Sequence, residues 1–290
     1  MKKRIISILL ILILAMSALT ACTKENNSAD KSDEIVEKDN KELEEKTEIE
    51  YGIEILQDSV KFVDGRDKEV SISKNPERAV VLFNSYLEVW INSGGKVVGR
   101  LEETEEKEII EAKDAEIVGK QGAINLEKII ALEPDLVILN SNQKSQMELV
   151  PILEENGIEI IALNYFVKED YFRMVRLFTA LNNREDLYEE YAIKIREDIE
   201  EIIEKAPEDK GYKVLLMVAS PKKITVRSSG SYVGEMLKDL HTINISDEIS
   251  TSSEQIDFSM EKILEEDPDF IFVQTTGSDK EKVLERLKKD

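Results

Sequence analysis

Two stretches of this 290-residue chain can be laid over each other without a gap. Ile124-Asn125-Leu126-Glu127-Lys128-Ile129-Ile130-Ala131-Leu132-Glu133-Pro134-Asp135-Leu136-Val137-Ile138-Leu139 is the first. Phe258-Ser259-Met260-Glu261-Lys262-Ile263-Leu264-Glu265-Glu266-Asp267-Pro268-Asp269-Phe270-Ile271-Phe272-Val273 is the second. Glu-Lys-Ile and Pro-Asp recur in register, and the apolar positions between them match. Each copy reads as helix, abrupt stop, strand. The proline disfavours helix in the residue before it, and the apolar run after it suits a strand covered on both faces. The period is far longer than a solenoid unit. The repeat therefore predicts two similar α/β lobes.

The rest of the chain alternates accordingly. Val60 to Val63 and Glu69 to Ile72 form a predicted hairpin around Asp64-Gly65. Ala79 to Phe83, Lys96 to Gly99, Ile117-Val118 and Ile158 to Leu163 read as further strands of the first lobe. Leu87 to Ile91 is a helix ending at Gly94-Gly95. Leu126 to Leu132 is one capped by Asn125, and Met147 to Glu155 another. A helical stretch from Lys168 to Lys205 follows, broken or kinked at Asn182-Asn183. Leu187, Tyr191, Ile195 and Ile199 give it an apolar stripe. After Pro207 and Gly211 the alternation restarts, with strands at Val214 to Val218, Ile224 to Val226 and Phe270 to Val273, and a helix at Tyr232 to Leu240. Strands and helices at this spacing give parallel sheets with helices on both faces. Ligands of such sheets sit at the carboxyl ends of the strands, where two lobes leave a cleft.

The amino terminus sets the compartment. Met1-Lys2-Lys3-Arg4 is basic, Ile5 to Leu19 is uncharged, and Leu19-Thr20-Ala21-Cys22 closes the segment with small residues. This is the plan of a secretory signal, and the apolar run is short for a spanning helix. Cys22 is the only cysteine, so it forms no internal disulfide. The segment resembles a bacterial lipoprotein signal with a lipobox. That resemblance implies a mature chain starting at Cys22, with the lipid-modified cysteine (palmitate-type acylation) anchoring it on the outer face of the cell membrane. From Thr23 to about Gln57 the composition is polar and charged, as in a flexible tether. The net charge of −22 repels nucleic acid and anionic lipid.

Asn75-Pro76-Glu77-Arg78 leading into a buried strand, Ile124 to Ile129, and Leu132-Glu133-Pro134-Asp135 before the next strand, all behind a lipobox, resemble one known family. It is the family of periplasmic solute-binding proteins that serve ABC importers of iron-siderophores, haem and cobalamin. The resemblance implies two Rossmann-like lobes joined by a single long helix. The expected layout is 1–21 signal, 22–57 tether, 58–167 first lobe, 168–206 interlobe helix and 207–290 second lobe. The family's second lobe continues past the equivalent of Val273 with further strands. The chain is thus expected to be either a truncated form or one with a reduced second lobe. The resemblance further implies a ferric siderophore as ligand, with cobalamin or haem as alternatives, and no cofactor. Its implied partners are permease subunits, met by a monomer. In the family each lobe docks on permease arginines through a surface glutamate, and the matching positions are Glu127 and Glu261. Carboxylate–guanidinium pairing gives such docking its geometry.

Ligand contacts are expected in loops at the strand ends. From the first lobe these are Asn84, Ser85, Tyr86, Lys120, Gln121, Asn142, Gln143, Tyr165 and Phe166; from the second, Arg227, Ser228 and Tyr232. Aromatics supply flat contact and amides or arginine directional bonds. An enzyme is not expected. The one histidine, His241, reads as a surface loop residue, and the chain has no nucleophile elbow, Gly-rich phosphate loop or zinc signature. One histidine also argues against capture of a bare transition metal. A non-transport surface scaffold is a third class, which would need neither paired glutamates nor a cleft. Trp90 reads as a core residue of its helix.

Overall fold

The computed structural model describes residues 48–103, 109–249, 255–257, 259–275 and 280–288. The signal, Cys22, the tether up to residue 47 and Phe258 lie outside them. The described chain opens with an antiparallel meander of β1 (Glu48–Glu50), β2 (Ile53–Ile55), β3 (Ser59–Val63) and β4 (Glu69–Ser73). The first two strands fall where tether was expected, and correct its boundary. Tyr51 and Gly52 both have positive φ, 53° and 70°, as a two-residue hairpin turn requires. The turn lets Ile53 bury completely.

The first lobe follows with β5 (Ala79–Val81), β6 (Val97–Arg100), β7 (Glu116–Ile117), β8 (Gly119–Lys120), β9 (Ala123–Ile124), β10 (Leu136–Asn140) and β11 (Glu159–Leu163). Five of them make a parallel sheet in the order β11-β10-β5-β6-β7, and β8 with β9 makes a small hairpin. All of β10 is buried. Its alternate residues feed two cores, as the two-residue strand period dictates. Leu136 and Ile138 pack with Trp90 and Phe178, while Val137 and Leu139 pack with Ile129, Val150 and Leu153. Trp90 is wholly buried and donates from Nε1 to the Lys96 carbonyl at 2.9 Å. A Cβ at Gly95 would stand 2.2 Å from its ring, so glycine is required there.

The stretch after β11 is two helices. Lys168–Leu181 buries Met174, Leu177, Phe178 and Leu181 in the first lobe. The chain turns at Asn182-Asn183, where Asn183 is left-handed (φ 52°). A second helix runs from Glu185 to Glu204, with a π-helical turn at Glu189–Ile193. Arg176 pairs with Glu185, Tyr171 donates to the Tyr191 carbonyl, and Arg196 pairs with Glu169. These contacts pair ever earlier residues of one helix with later residues of the other, so the helices are antiparallel. The single long helix joining the lobes is the second one; Lys168–Leu181 covers the first lobe's sheet. Arg176, 1% exposed, is compensated by ion pairs to Glu50 and Glu185 and by the face of Tyr188 at 4.7 Å.

The second lobe comprises β12 (Lys213–Ala219), β13 (Ile224–Arg227), β14 (Ile243–Asn244), β15 (Gln255–Ile256) and β16 (Phe270–Thr275). Its helices are Tyr232–Asp239, Met260–Glu266 and Lys280–Leu287. β12 is central, antiparallel to β13 and parallel to β16 along Val214 to Ala219.

The sequence repeat survives as a three-dimensional one. Asn125 caps the helix Leu126–Ala131 by accepting from the Lys128 amide, and Ser259 caps Met260–Glu266 by accepting from the Lys262 amide. Glu133 and Asp267, each before the proline, both have φ 46°. The Asp135 carboxylate then accepts from the Glu77 and Arg78 amides ahead of β5, and the Asp269 carboxylate from the Lys213 amide at the start of β12. Arg78 and Lys213 both donate to carbonyls at the end of the repeat helix. Helix, stop and strand are thus latched to the neighbouring strand by equivalent bonds in the two lobes.

Candidate functional site between the lobes

The carboxyl ends of three first-lobe strands are bound together from below. Tyr86 is wholly buried; its hydroxyl donates to the Leu163 carbonyl (3.2 Å) and accepts from Asn140 Nδ2 (2.9 Å). Gln146, also buried, accepts from the Asn140 amide and donates to the Leu82 carbonyl, both at 2.7 Å. The ends of β5, β10 and β11 therefore share one buried network, which is rigid when satisfied. Burial first, then Asp170, pushes the Tyr86 hydroxyl well above the usual phenol range. Tyr86 was expected to touch ligand and is instead part of this scaffold: the helix Asn84–Asn92 begins at once after β5 and turns it inward.

The loops above the network meet the second lobe. Tyr165, two residues beyond β11, has its ring centroid 5.2 Å from that of Tyr232. Burial, then the contact with Tyr232, raises the Tyr165 hydroxyl pKa. Lys168 pairs with Asp239, and its amide donates to Glu235 at 2.9 Å. The side-chain bond to Asp239 holds the Lys168 ammonium above the ordinary lysine range. Asp170 caps the same helix by accepting from the Phe166 and Val167 amides.

The remaining expected residues spread across this surface. Ser85, Asn142 and Phe166 are exposed, and Gln143 is half-buried. Asn84 donates to the Glu102 carbonyl at 3.3 Å, while its Oδ1 is buried with no partner. Lys120 and Gln121 sit on the β8–β9 hairpin beyond β7, at the opposite sheet edge from β11. Four strand spacings separate these edges, about 19 Å. Arg227 and Tyr232 are half-buried. Ser228 is wholly buried, and its expected ligand contact is corrected: its hydroxyl accepts from the Gly230 amide and its carbonyl from Ser231 Oγ. That tight turn needs Gly234, where a Cβ would lie 2.0 Å from the Ser228 carbonyl. Asn140, Gln146, Glu235 and Asp239 were missed; a polar residue closing the apolar run Leu136 to Leu139 was the available signal for Asn140.

Glu127 and Glu261 are the second residues of equivalent capped helices, and both are exposed. Among the described residues neither carboxylate has a hydrogen-bond or ion-pair partner. Residues 80–290 match the sequence model of the family described as "Periplasmic binding protein". The chain belongs to that family. Its members bind solutes, which agrees with the expectation of a protein that is not an enzyme. The chain is 28% identical to the uncharacterized ABC transporter substrate-binding lipoprotein YvrC of Bacillus subtilis (strain 168), over 99% of this chain and 85% of the relative. It is 24% identical to the Fe(3+)-citrate-binding protein YfmC of the same organism, over 93% and 79%. Among solved structures, the petrobactin-binding protein YclQ of Bacillus subtilis aligns with TM-score 0.66 at 20% identity, covering 79% of this chain and 84% of that one. That likeness is one of fold: two α/β lobes joined by a long helix. Among the described residues no helix is long and apolar enough to cross a membrane.

Proposed function

We propose that this periplasmic binding protein is a lipid-anchored, extracytoplasmic receptor that holds a ferric siderophore between its lobes and delivers it to the permease of an ABC importer. The observation that carries the reading is the meeting of Tyr165 and Tyr232 across the lobes, above strand ends made rigid by the Tyr86–Asn140–Gln146 network. A bulky polar chelate needs flat aromatic contact, directional polar groups and a floor that does not yield. Tyr165, Phe166 and Tyr232 supply the first, and Asn84, Asn142, Gln143 and Arg227 the second. The unpartnered Asn84 Oδ1 suits a donor on the ligand, because an unpaired buried acceptor costs free energy until it is met. The Fe(3+)-citrate name of one relative and the petrobactin name of the structural neighbour support an iron chelate. Lys120 and Gln121, about 19 Å from the Tyr165 end, belong to the ligand surface only if the ligand spans the whole sheet top.

Delivery is assigned to Glu127 and Glu261. The same helix position in two equivalent units gives two acidic knobs of one construction, suited to guanidinium partners. The ligand assignment is tested by fluorescence titration with ferric citrate, ferric hydroxamate and catecholate chelates, haem and cobalamin. Saturable tyrosine quenching by a ferric chelate is expected. A response confined to haem or cobalamin rejects the iron chelate, and no response at all rejects the receptor reading.

A further inference from the structure

The loop after β11 and the helix behind it meet the second lobe at three points. The Tyr165 ring packs on Tyr232, the Lys168 amide donates to Glu235 at 2.9 Å, and the Lys168 ammonium pairs with Asp239. Tyr232, Glu235 and Asp239 are spaced three and four residues apart, so they share one face of the helix Tyr232–Asp239. Two of these residues are set against their own helices. Lys168 is the first residue of Lys168–Leu181, where the free amides disfavour a cation. Asp239 is the last residue of Tyr232–Asp239, where the free carbonyls disfavour an anion. Val167, at the N-cap, has no side-chain oxygen for the Lys168 amide, and Glu235 of the other lobe accepts it instead. Choices that are unfavourable locally and compensated only across the lobes mark a contact kept for function.

We propose that Lys168, Glu235 and Asp239 form a latch that holds the cleft shut when it is empty, so that a ligand has to break the latch to enter. The proposal rests on the reading of the cleft as the chelate site. The ring centroids of Tyr165 and Tyr232 are 5.2 Å apart. A flat group stacked between two rings needs about 7 Å, two contacts of ~3.5 Å each. A chelate held by both rings therefore parts them. Lys168 lies three residues from Tyr165, and Glu235 and Asp239 lie on the face that carries Tyr232, so the latch parts with the rings. The chelate then binds only the open fraction of the protein, and its apparent affinity is reduced by that fraction. The Lys168–Asp239 pair is partly exposed, which keeps the latch weak enough to open. All three are positioning residues: they set how far apart the rings stand.

The test measures lobe separation without ligand, by electron spin resonance between nitroxide labels on cysteines that replace Lys144 and Lys222. Both lysines are exposed and stand just beyond the carboxyl ends of β10 and β12. Cys22→Ser removes the only other cysteine of the full chain. Glu235→Ala with Asp239→Ala is expected to shift the distances upward and to raise affinity for ferric citrate and ferric catecholate chelates about three- to tenfold, ~1 kcal/mol. Lys168→Asp sets like charges against each other and should open the cleft further, and adding Asp239→Lys should restore the short distance. Should the alanine pair fail to fold, this charge exchange still decides. Distances that do not change in either variant would overturn the proposal, as would an affinity that falls while the distances lengthen. If the distances respond as expected but no chelate binds any form, the latch stands and the receptor reading fails.

Discussion

Replacing Tyr86 by phenylalanine separates a scaffold role from a ligand contact. The ring stays and only the hydroxyl leaves, so no cavity larger than one oxygen is made. Two bonds are lost, to the Leu163 carbonyl and from Asn140 Nδ2. The Leu163 carbonyl keeps the Ser141 amide at 2.8 Å and Ser141 Oγ at 3.2 Å, so it remains satisfied. Asn140 Nδ2 loses the acceptor it has in a buried site. Stranding one buried donor costs about 1–3 kcal/mol, and we take ~2 kcal/mol as the central figure. With a urea slope of about 2 kcal/mol/M, the unfolding midpoint should fall by about 1 M with the slope unchanged. Tyr86 is 0% exposed, so affinity for a ferric chelate should stay within about threefold, less than 1 kcal/mol. An unaltered midpoint together with a tenfold or greater loss of affinity would refute this assignment and return Tyr86 to the ligand surface.

Reversing both docking carboxylates (E127K with E261K) should leave chelate affinity unchanged and abolish uptake in cells; normal uptake removes both residues from the interface. Lys168→Met should lower stability by less than about 1 kcal/mol, because the Lys168–Asp239 pair is partly exposed. Folding raises the lysine pKa above its ordinary 10.5, so this contribution is complete below that pH and is lost as pH rises through the raised value. Melting curves of the two proteins should therefore differ equally at pH 7 and 9 and converge only above about pH 10.5; convergence near neutrality contradicts the pairing. Gly234→Ala places a methyl 2.0 Å from the Ser228 carbonyl and should destabilise the second lobe by about 2–3 kcal/mol. An unchanged melting temperature would mean that the turn yields without cost.

The two-lobe plan was legible because its signals are local. A capping Asn or Ser, a Pro-Asp stop and a four-residue apolar run each act within a few residues, and they occur twice. Asn182-Asn183 announced a break for the same reason. The reversal of direction there was not legible, since it depends on Arg176 meeting Glu185 and Arg196 meeting Glu169 after the chain has folded back. β1 and β2 escaped notice inside a charged stretch because their stability comes from Ile53 and from Tyr188 bonding Glu50, far along the chain. At the site, the strand closing at Leu163 ends where expected, but the first strand stops at Val81 rather than Phe83 and its helix starts early, at Asn84. Tyr86 and Ser228 stand beside loop residues in sequence and point into the body, turned by the immediate start of a helix and by the Ser228–Ser231 turn. Tyr165 and Tyr232 were named separately; that they touch is a property of how the lobes close on each other.

Hydrogen exchange with and without a saturating ferric chelate tests capture between the lobes most directly. Amides of residues 164–167 and of residues 228–232 should be protected together, with β3 and β4 unchanged. Protection confined to one lobe, or none in either segment, would contradict it.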